Sequence, residues 1–211
     1  MKLYIYDHCP FCARARMIFG LKALPFELVT VLENDAETPT RLVGKKTTPI
    51  LEKADGSHMA ESMDIVHTID AQYGSPIVTP VADSAIKAWH DIAWKPVLNL
   101  SIPRLARGQF AELETPQARE AFRTRQTKNF GDLDALLARS PEMIQEMNGL
   151  LTQLDPLLQG RAHIDADDFL LYPVLRMLSI VKGIAYPTHV DAYMKRMEQS
   201  TGVSLHLNQA A

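Results

Sequence analysis

The fold is decided by the stretch at the start of the chain, Lys2-Leu3-Tyr4-Ile5-Tyr6-Asp7-His8-Cys9-Pro10-Phe11-Cys12. Its aromatic and branched residues 2–6 predict a buried strand. Pro10 then suits the first position of a helix, where its missing N–H costs nothing. A thiol at such a helix start faces unpaired N–H groups and the positive end of the helix dipole, which make it easier to ionise. We therefore predict that Cys9, at the exposed tip, is a nucleophile and that Cys12, facing inward, resolves its disulfides.

Composition restricts the function classes that need to be considered. The 211 residues are 46% hydrophobic and 22% charged, as in ordinary soluble proteins. A net charge of −3 without a dense Lys/Arg run argues against a nucleic-acid partner. The N-terminus meets charge too early for a secretory signal, and the apolar stretch 169–181 is too short to cross a bilayer. We expect a cytoplasmic protein with no membrane partner.

The two cysteines are the only ones in the chain. They cannot form a disulfide framework, and cytosolic disulfides are usually catalytic or redox-sensing. A zinc site would require further ligands, and there is no second cysteine pair, so we expect no metal.

The first third of the chain alternates strands and helices. A second strand over residues 26–32 predicts a parallel pair with the first. A short helix near residues 39–43 precedes a strand over 50–52 and a hairpin at Asp55-Gly56. A third helix begins at Glu61-Ser62 and ends near Tyr73. We predict a four-stranded mixed sheet with flanking helices over residues 1–73.

The rest of the chain is predicted to be helical. Residues 74–82 contain Gly, Ser and two prolines and indicate a linker, followed by an all-helical domain over 83–211. We expect helices over 83–107, interrupted at its two prolines, and over 188–199. Thr115, Ser140 and Asp165 are predicted N-caps, the first two each followed by proline. Apolar residues at helical spacing indicate core packing; with them we place Trp89, Trp94, Phe169 and the stripe Ile144, Met147, Leu151, Leu154, Leu158.

This pattern resembles a known family. Cys9-Pro10-Phe11-Cys12, Thr48-Pro49 and Glu61-Ser62 are similar to the corresponding motifs of glutaredoxins of the thioredoxin fold, and the helical half resembles cytosolic glutathione transferases. The glutaredoxin 2 type of bacterial glutaredoxins combines the two. The resemblance covers the whole chain and is strongest in residues 1–70. Two residues depart from the usual glutaredoxin pattern: Phe11 replaces tyrosine, and Thr48 replaces valine.

The resemblance implies a set of glutathione contacts. Cys9 would react with the glutathione sulfur, and a cis peptide bond before Pro49 would leave the Thr48 backbone free to pair with the cysteinyl part. Ser62 and the helix N-terminus would bind the γ-glutamyl carboxylate, and Glu61 the ammonium group. For the glycyl carboxylate, three cations remain open as candidates: Lys45, Lys46 and Arg16.

The expected function is a glutathione-dependent disulfide oxidoreductase that reduces protein–glutathione mixed disulfides and protein disulfides. We expect a monomer, and we expect His8 to be a turn residue without catalytic duty. Three alternatives share the architecture: a cysteine-type glutathione transferase or dehydroascorbate reductase, a non-enzymatic docking module, and an iron–sulfur protein.

Overall fold

The computed structural model describes residues 1–81 and 84–211. The first part is a four-stranded sheet in the order β2-β1-β3-β4, in which β1 pairs parallel with β2 and antiparallel with β3. The predicted mixed sheet is therefore confirmed. Its elements are β1 (Lys2–Ile5), α1 (Pro10–Leu21), β2 (Glu27–Thr30), α2 (Glu37–Val43), β3 (Ile50–Glu52), β4 (His58–Ala60) and α3 (Ser62–Gln72).

The described remainder of the chain is helical, as predicted. Short 3₁₀ turns occur at Ala111–Leu113 and Leu207–Gln209. The helices are α4 (Ala85–Leu105), α5 (Pro116–Phe130), α6 (Leu133–Ala138), α7 (Ser140–Leu158), α8 (Asp168–Leu178) and α9 (Thr188–Thr201).

Helix α1 joins the two halves because it packs on α3 on one side and on α8 and α9 on the other. Gly20 allows its closest approach: a Cβ built there would lie 1.8 Å from the Thr201 carbonyl oxygen. Buried residues of both halves, from Leu3 to Leu205, form one hydrophobic cluster. The helix that carries the cysteines is therefore held from both sides.

Two predicted helix boundaries are wrong. Helix α4 continues through Pro96 and Pro103; a proline inside a helix costs about 3 kcal/mol, and the buried packing of α4 against α7 and α8 outweighs that cost. Ser140 is the first residue of α7 and does not cap it. Its hydroxyl instead accepts a hydrogen bond from Arg104 Nη2 at 3.0 Å, a contact 36 residues away.

The other capping predictions fare better. Thr115 Oγ1 accepts from the Ala118 N–H at 3.1 Å, and Pro116 opens α5. The cap of α8 is Asp167, two residues later than the predicted Asp165, and the helix begins at Asp168. Asp165 still accepts from the Asp167 N–H, and Asp168 accepts from the Asp165 N–H. In α7 the predicted stripe is buried except for Ile144, which is half-buried.

Asp70, near the end of α3, binds the segment that follows this helix. Its carboxylate accepts from the N–H groups of Ile77 at 2.9 Å and Val78 at 3.0 Å, and it pairs with Lys22 Nζ at 2.7 Å. A division into domains 1–73 and 83–211 with a linker over 74–82 stays a prediction. Residues 82 and 83, where the linker was expected to end, lie outside the described residues.

We predict that Asp70→Asn lowers the free energy of unfolding by about 1–3 kcal/mol at pH 7, because it removes the charge from these contacts. Burial alone would raise the pKa of Asp70, but the hydrogen bonds from Lys22, Ile77 and Val78 lower it below its usual value. A lowered carboxyl pKa stabilises the fold above pH ~4, and this stabilisation is lost as the pH falls through the folded-state pKa.

Urea denaturation at pH 7 and pH 3 measures this difference, which should shrink at the lower pH. Asp64→Asn, an exposed carboxylate in the same helix, should change stability by less than about 0.5 kcal/mol. Equal losses in Asp70→Asn at both pH values would contradict the prediction.

Candidate active site

The strand–turn–helix unit places the two thiols differently. Cys9 precedes α1 with an extended backbone, and Pro10 is the first helical residue, as predicted. The Cys9 carbonyl accepts from the Ala13 N–H at 3.0 Å, so Cys9 stands at the helix N-terminus. Cys12, one turn into α1, is fully buried. Cys9 is half-buried and not at an exposed tip, because residues of the helical half form the opposite wall above it.

The environment of Cys9 favours its thiolate. A hydrogen bond from the Cys12 thiol lowers the pKa of Cys9 most, and burial opposes it. The charge of His8 and the N–H groups of Cys12 and Phe11 lower it further, to about 6. Burial and the contact with Cys9 raise the pKa of the Cys12 thiol. One thiol is thus prepared to attack while the other keeps its proton.

Three basic residues follow Cys9 in or directly after α1, namely Arg14, Arg16 and Lys22, and of these Arg14 is the one near Cys9. The Arg14 guanidinium lies 5.2 Å from the centre of the Phe11 ring. Burial lowers the pKa of Arg14 to about 10, and the negative charge of Cys9 opposes part of this decrease. Arg16 pairs with Asp7, and Lys22 pairs with Asp70. Arg16 is therefore an unsuitable candidate for the glycyl carboxylate.

The Thr48-Pro49 peptide bond is cis, as expected. Thr48 lines the same cleft as Cys9. Burial raises the pKa of the Cys12 thiol, and the side chain of Thr48 opposes part of this rise. Pro49 is buried next to β3. The loop before β3 and the start of α1 therefore meet around the two sulfurs.

Glu61 and Ser62 lie at the start of α3, outside the lining of this cleft. Glu61 has a φ of +70°, which is rare for a residue with a side chain, and its exposed carboxylate pairs with Lys45 at 2.9 Å. Ser62 is buried, and its hydroxyl accepts from Arg14 Nη1 at 3.4 Å. Arg14, which also lies over Phe11, connects this helix start to the thiol site.

A cleft of about 380 Å³ separates the sheet half from the helical half. Cys9, Thr48 and Lys46 lie on one wall, and residues of α4, α5 and α8 form the other. Its lining is mainly apolar with a few polar groups, the usual character of a small-molecule site. The residues on the helical side are Trp94, Leu98, Ile102, Leu105, Arg125, Gln126, Asn129, Phe130 and Met177.

The sequence does not predict several of the residues that line the cleft. Trp94 was placed in the core with Trp89 and Phe169; those two are buried, but Trp94 is half-buried and its ring centre lies 6.1 Å from that of Phe11. Glu33 is buried and pairs with Arg125 at 2.7 Å across the cleft. No local pattern connects residues 92 positions apart, so this pair had no sequence signal.

No cluster suited to a metal was found in the described parts of the chain: three or more His, Cys, Asp or Glu side chains do not converge anywhere in residues 1–81 and 84–211. Within the same residues, every helix is too short or too polar to cross a membrane.

Comparison with known proteins identifies the family. Residues 85–210 match the family model of the glutaredoxin 2 C-terminal domain, and residues 3–77 match that of the glutathione S-transferase N-terminal domain. The chain is 43% identical over 209 residues to glutaredoxin 2 of Escherichia coli K12, and the match covers 97% of both chains. The chain belongs to the glutaredoxin 2 family.

Solved structures agree with this membership. The glutaredoxin 2 from Salmonella typhimurium, solved in complex with glutathione, superimposes with a TM-score of 0.96 at 41% identity, covering 100% of this chain and 98% of that one. A glutathione transferase from Phanerochaete chrysosporium matches with a TM-score of 0.72 at 15% identity, covering 94% and 96%, which shows a shared fold. The predicted fold and enzyme class, a glutaredoxin with a transferase-like helical half, are confirmed.

We predict that Cys9 alkylation by iodoacetamide follows a titration centred near pH 6. Only the thiolate reacts, so the rate rises through this pH and then levels off. Mass spectrometry should find the label on Cys9 and not on the buried Cys12.

Two substitutions of Cys12 test the cause of this low midpoint. Cys12→Ala removes the hydrogen bond that lowers the Cys9 pKa most, so the midpoint should move up by about one unit. Cys12→Ser keeps a donor and should move it less. A common midpoint near pH 8.5 for all three proteins, the value of a free thiol, would contradict this assignment.

Proposed function

We propose that this glutaredoxin uses Cys9 as the nucleophile and Cys12 as the resolving thiol in glutathione-dependent reduction of disulfides. The observation that carries the assignment is the contrast between the two sulfurs. Cys9 is half-buried in a cleft with its pKa lowered to about 6, while Cys12 lies buried beneath it with its pKa raised.

The Cys9 thiolate attacks the glutathione sulfur of a protein–glutathione mixed disulfide. A Cys9–glutathione disulfide forms, the original S–S bond breaks, and the protein thiolate leaves and takes a proton. A glutathione thiolate then attacks the bound glutathione sulfur, which releases oxidised glutathione and restores the Cys9 thiolate. Glutaredoxin couples lie at roughly −200 to −230 mV, close to the cytosolic glutathione poise, so the cycle can turn over.

With a protein disulfide, Cys9 first forms a mixed disulfide with the substrate. Cys12 then gives up its proton and attacks the Cys9 sulfur. The S–S bond between Cys9 and the substrate breaks, the substrate thiolate leaves and takes up a proton, and a Cys9–Cys12 disulfide remains. The position of the two residues supports this second step, because Cys12 lies in the first turn of α1 and its side chain is close enough to that of Cys9 to affect the Cys9 pKa. Two molecules of glutathione reduce that disulfide again.

Two parts of the structure suit the cysteinyl and γ-glutamyl groups of glutathione. We assign its cysteinyl backbone to Thr48, next to the cis Pro49, and its γ-glutamyl end to Glu61 and Ser62 at the N-terminus of α3. Glu61 already pairs with a cation, Lys45, as it would with the ammonium group. The bound glutathione of the Salmonella relative supports a glutathione site in this family.

Lys46 is the best placed of the cations considered for the glycyl carboxylate. It lines the cleft, and its Nζ donates to the Glu33 carbonyl at 2.5 Å, whereas Lys45 points to Glu61 outside the cleft lining. We further propose that the protein acts as a cytoplasmic monomer on glutathionylated and disulfide-containing proteins. Sedimentation of the purified protein tests the monomer.

We expect Cys9→Ser to abolish reduction of both mixed disulfides and protein disulfides, since no nucleophile remains. Cys12→Ser should keep reduction of a glutathionylated peptide and lose most reduction of a protein disulfide. A coupled assay with glutathione reductase and NADPH measures both substrates. Normal deglutathionylation by Cys9→Ser would overturn the roles assigned to the two thiols.

Lys46→Gln should raise the KM for glutathione about five- to ten-fold with little change in kcat, because it removes a charge-assisted contact worth roughly 1–1.4 kcal/mol. Lys195→Gln is the control, since this exposed lysine of α9 carries the same charge and lies outside the cleft lining, and the KM of this variant should stay within about two-fold. Equal effects of the two substitutions would show that the glycyl carboxylate binds elsewhere.

A further inference from the structure

The turn before Cys9 is held from the helical half by one carboxylate. Glu112 Oε1 accepts from the His8 backbone N–H at 2.9 Å and lies 2.6 Å from His8 Nδ1. His8 is 5% exposed and Glu112 is fully buried. Glu112 belongs to the 3₁₀ turn before α5 and is 104 residues from His8 in the chain, so this is a built contact between the two halves.

The His8 ring is also fixed by aromatic neighbours. It stacks on Tyr6, with ring centres 5.7 Å apart, and meets the edges of Phe122 at 4.9 Å and Phe110 at 5.8 Å. His8 also belongs to the lining of the cleft beside Cys9. An imidazole held in this way cannot turn away from Glu112 without breaking the surrounding packing.

A buried carboxylate in this position acts on the ring electrostatically. Burial disfavours a charged imidazole unless an opposite charge lies close to it. Glu112 supplies that charge at hydrogen-bond distance, and its second oxygen, Oε2, has no hydrogen-bond partner among the residues that the structure describes. The positive charge of His8 in turn lowers the pKa of Cys9.

We propose that Glu112 is a positioning residue for the thiol chemistry: it keeps His8 fixed and charged beside the cleft, so that Cys9 reacts as a thiolate in mildly acidic solution. The inference rests on the proposed role of Cys9 as the nucleophile. It gives the helical half a direct part in the redox reaction, through a histidine that sequence reasoning expected to be without catalytic duty.

Other charges around the turn keep their state over the relevant pH range. Burial raises the pKa of Asp7, but Arg176 and Arg16 lower it more, so Asp7 stays ionised. Burial lowers the pKa of His206 to about 3, so this second histidine stays neutral. The remaining titratable or charged groups near the turn are Tyr6, Cys12, Arg14, Glu33 and Arg125.

The test is the rate of Cys9 alkylation by iodoacetamide from pH 4.5 to 9.5, without glutathione. Glu112→Gln retains an oxygen that can accept both His8 hydrogen bonds but removes the charge. Its midpoint should rise by about one unit, within the range expected for a nearby charge. Alkylation at pH 5 should then be about ten-fold slower than in the unmodified protein, and alkylation above pH 8.5 no slower.

His8→Asn provides a second route, because its amide can still donate to Glu112 but carries no charge. Its midpoint should also rise, and the double variant should shift no further than His8→Asn alone if the two residues act as one pair. Asp70→Asn is the control, since it removes a buried carboxylate at the opposite end of α3 and should keep the midpoint near pH 6.

The outcomes separate the inference from the function on which it rests. If Cys9 of the unmodified protein is not alkylated near pH 6, the role of Cys9 fails and the inference fails with it. If it is alkylated but His8→Asn and Glu112→Gln keep its midpoint, only the inference is overturned. A rate lowered equally at every pH would indicate a structural defect and would also overturn it. Should Glu112→Gln not fold, the midpoint of His8→Asn alone decides.

Discussion

The arrangement of the residues around Cys9 stabilises one negative sulfur at the start of α1. A thiol normally titrates near pH 8.5, so a pKa of about 6 corresponds to on the order of 3–4 kcal/mol in favour of the thiolate. A helix terminus supplies at most about 2 kcal/mol of this. The remainder comes from hydrogen bonds of Cys12 and the first backbone N–H groups, and from His8. These groups must be fixed, because a donor that moves away leaves the charge partly buried and uncompensated.

The helical half supplies much of that fixation. Arg176 in α8 donates to the Asp7 carbonyl at 2.7 Å and to its carboxylate at 2.9 Å, and Glu112 holds His8. The two residues immediately before Cys9 are thus both bound by side chains more than 100 positions away. Arg125 adds a third contact by pairing with Glu33 across the cleft. The reactive turn is therefore a product of the whole chain, although its motif is local.

The difference between local and long-range contacts explains which features the sequence could predict. Pro10 at the first helical position, the hairpin at Asp55-Gly56 and the Thr115 cap are set by backbone chemistry within a few residues, and each appears where predicted. Ser140 has the same local pattern as Thr115, yet it bonds Arg104 because a buried guanidinium is nearby in the fold. The continuity of α4 through its prolines likewise depends on its neighbours.

The candidate site divides in the same way. The two cysteines, the cis proline and the start of α3 were found from short motifs and a resemblance. Glu112, Glu33 and Trp94 were not, because the residue types are common and their partners are far away in the chain. The position of Trp94 is also ambiguous in the sequence, because an aromatic residue at helical spacing can face either a core or a cleft. Only the packing of the helices distinguishes the two.

The cleft also accounts for Phe11 at a position where glutaredoxins usually carry tyrosine. The side chain of Phe11 is 43% exposed. The centre of its ring lies 5.2 Å from the Arg14 guanidinium and 6.1 Å from the centre of the Trp94 ring. A cation over an aromatic face and a tilted ring pair both depend on the ring and require no hydroxyl. Trp94 comes from the helical half, so the ring at position 11 continues the apolar wall of the cleft up to Cys9. Phenylalanine meets that requirement as well as tyrosine would.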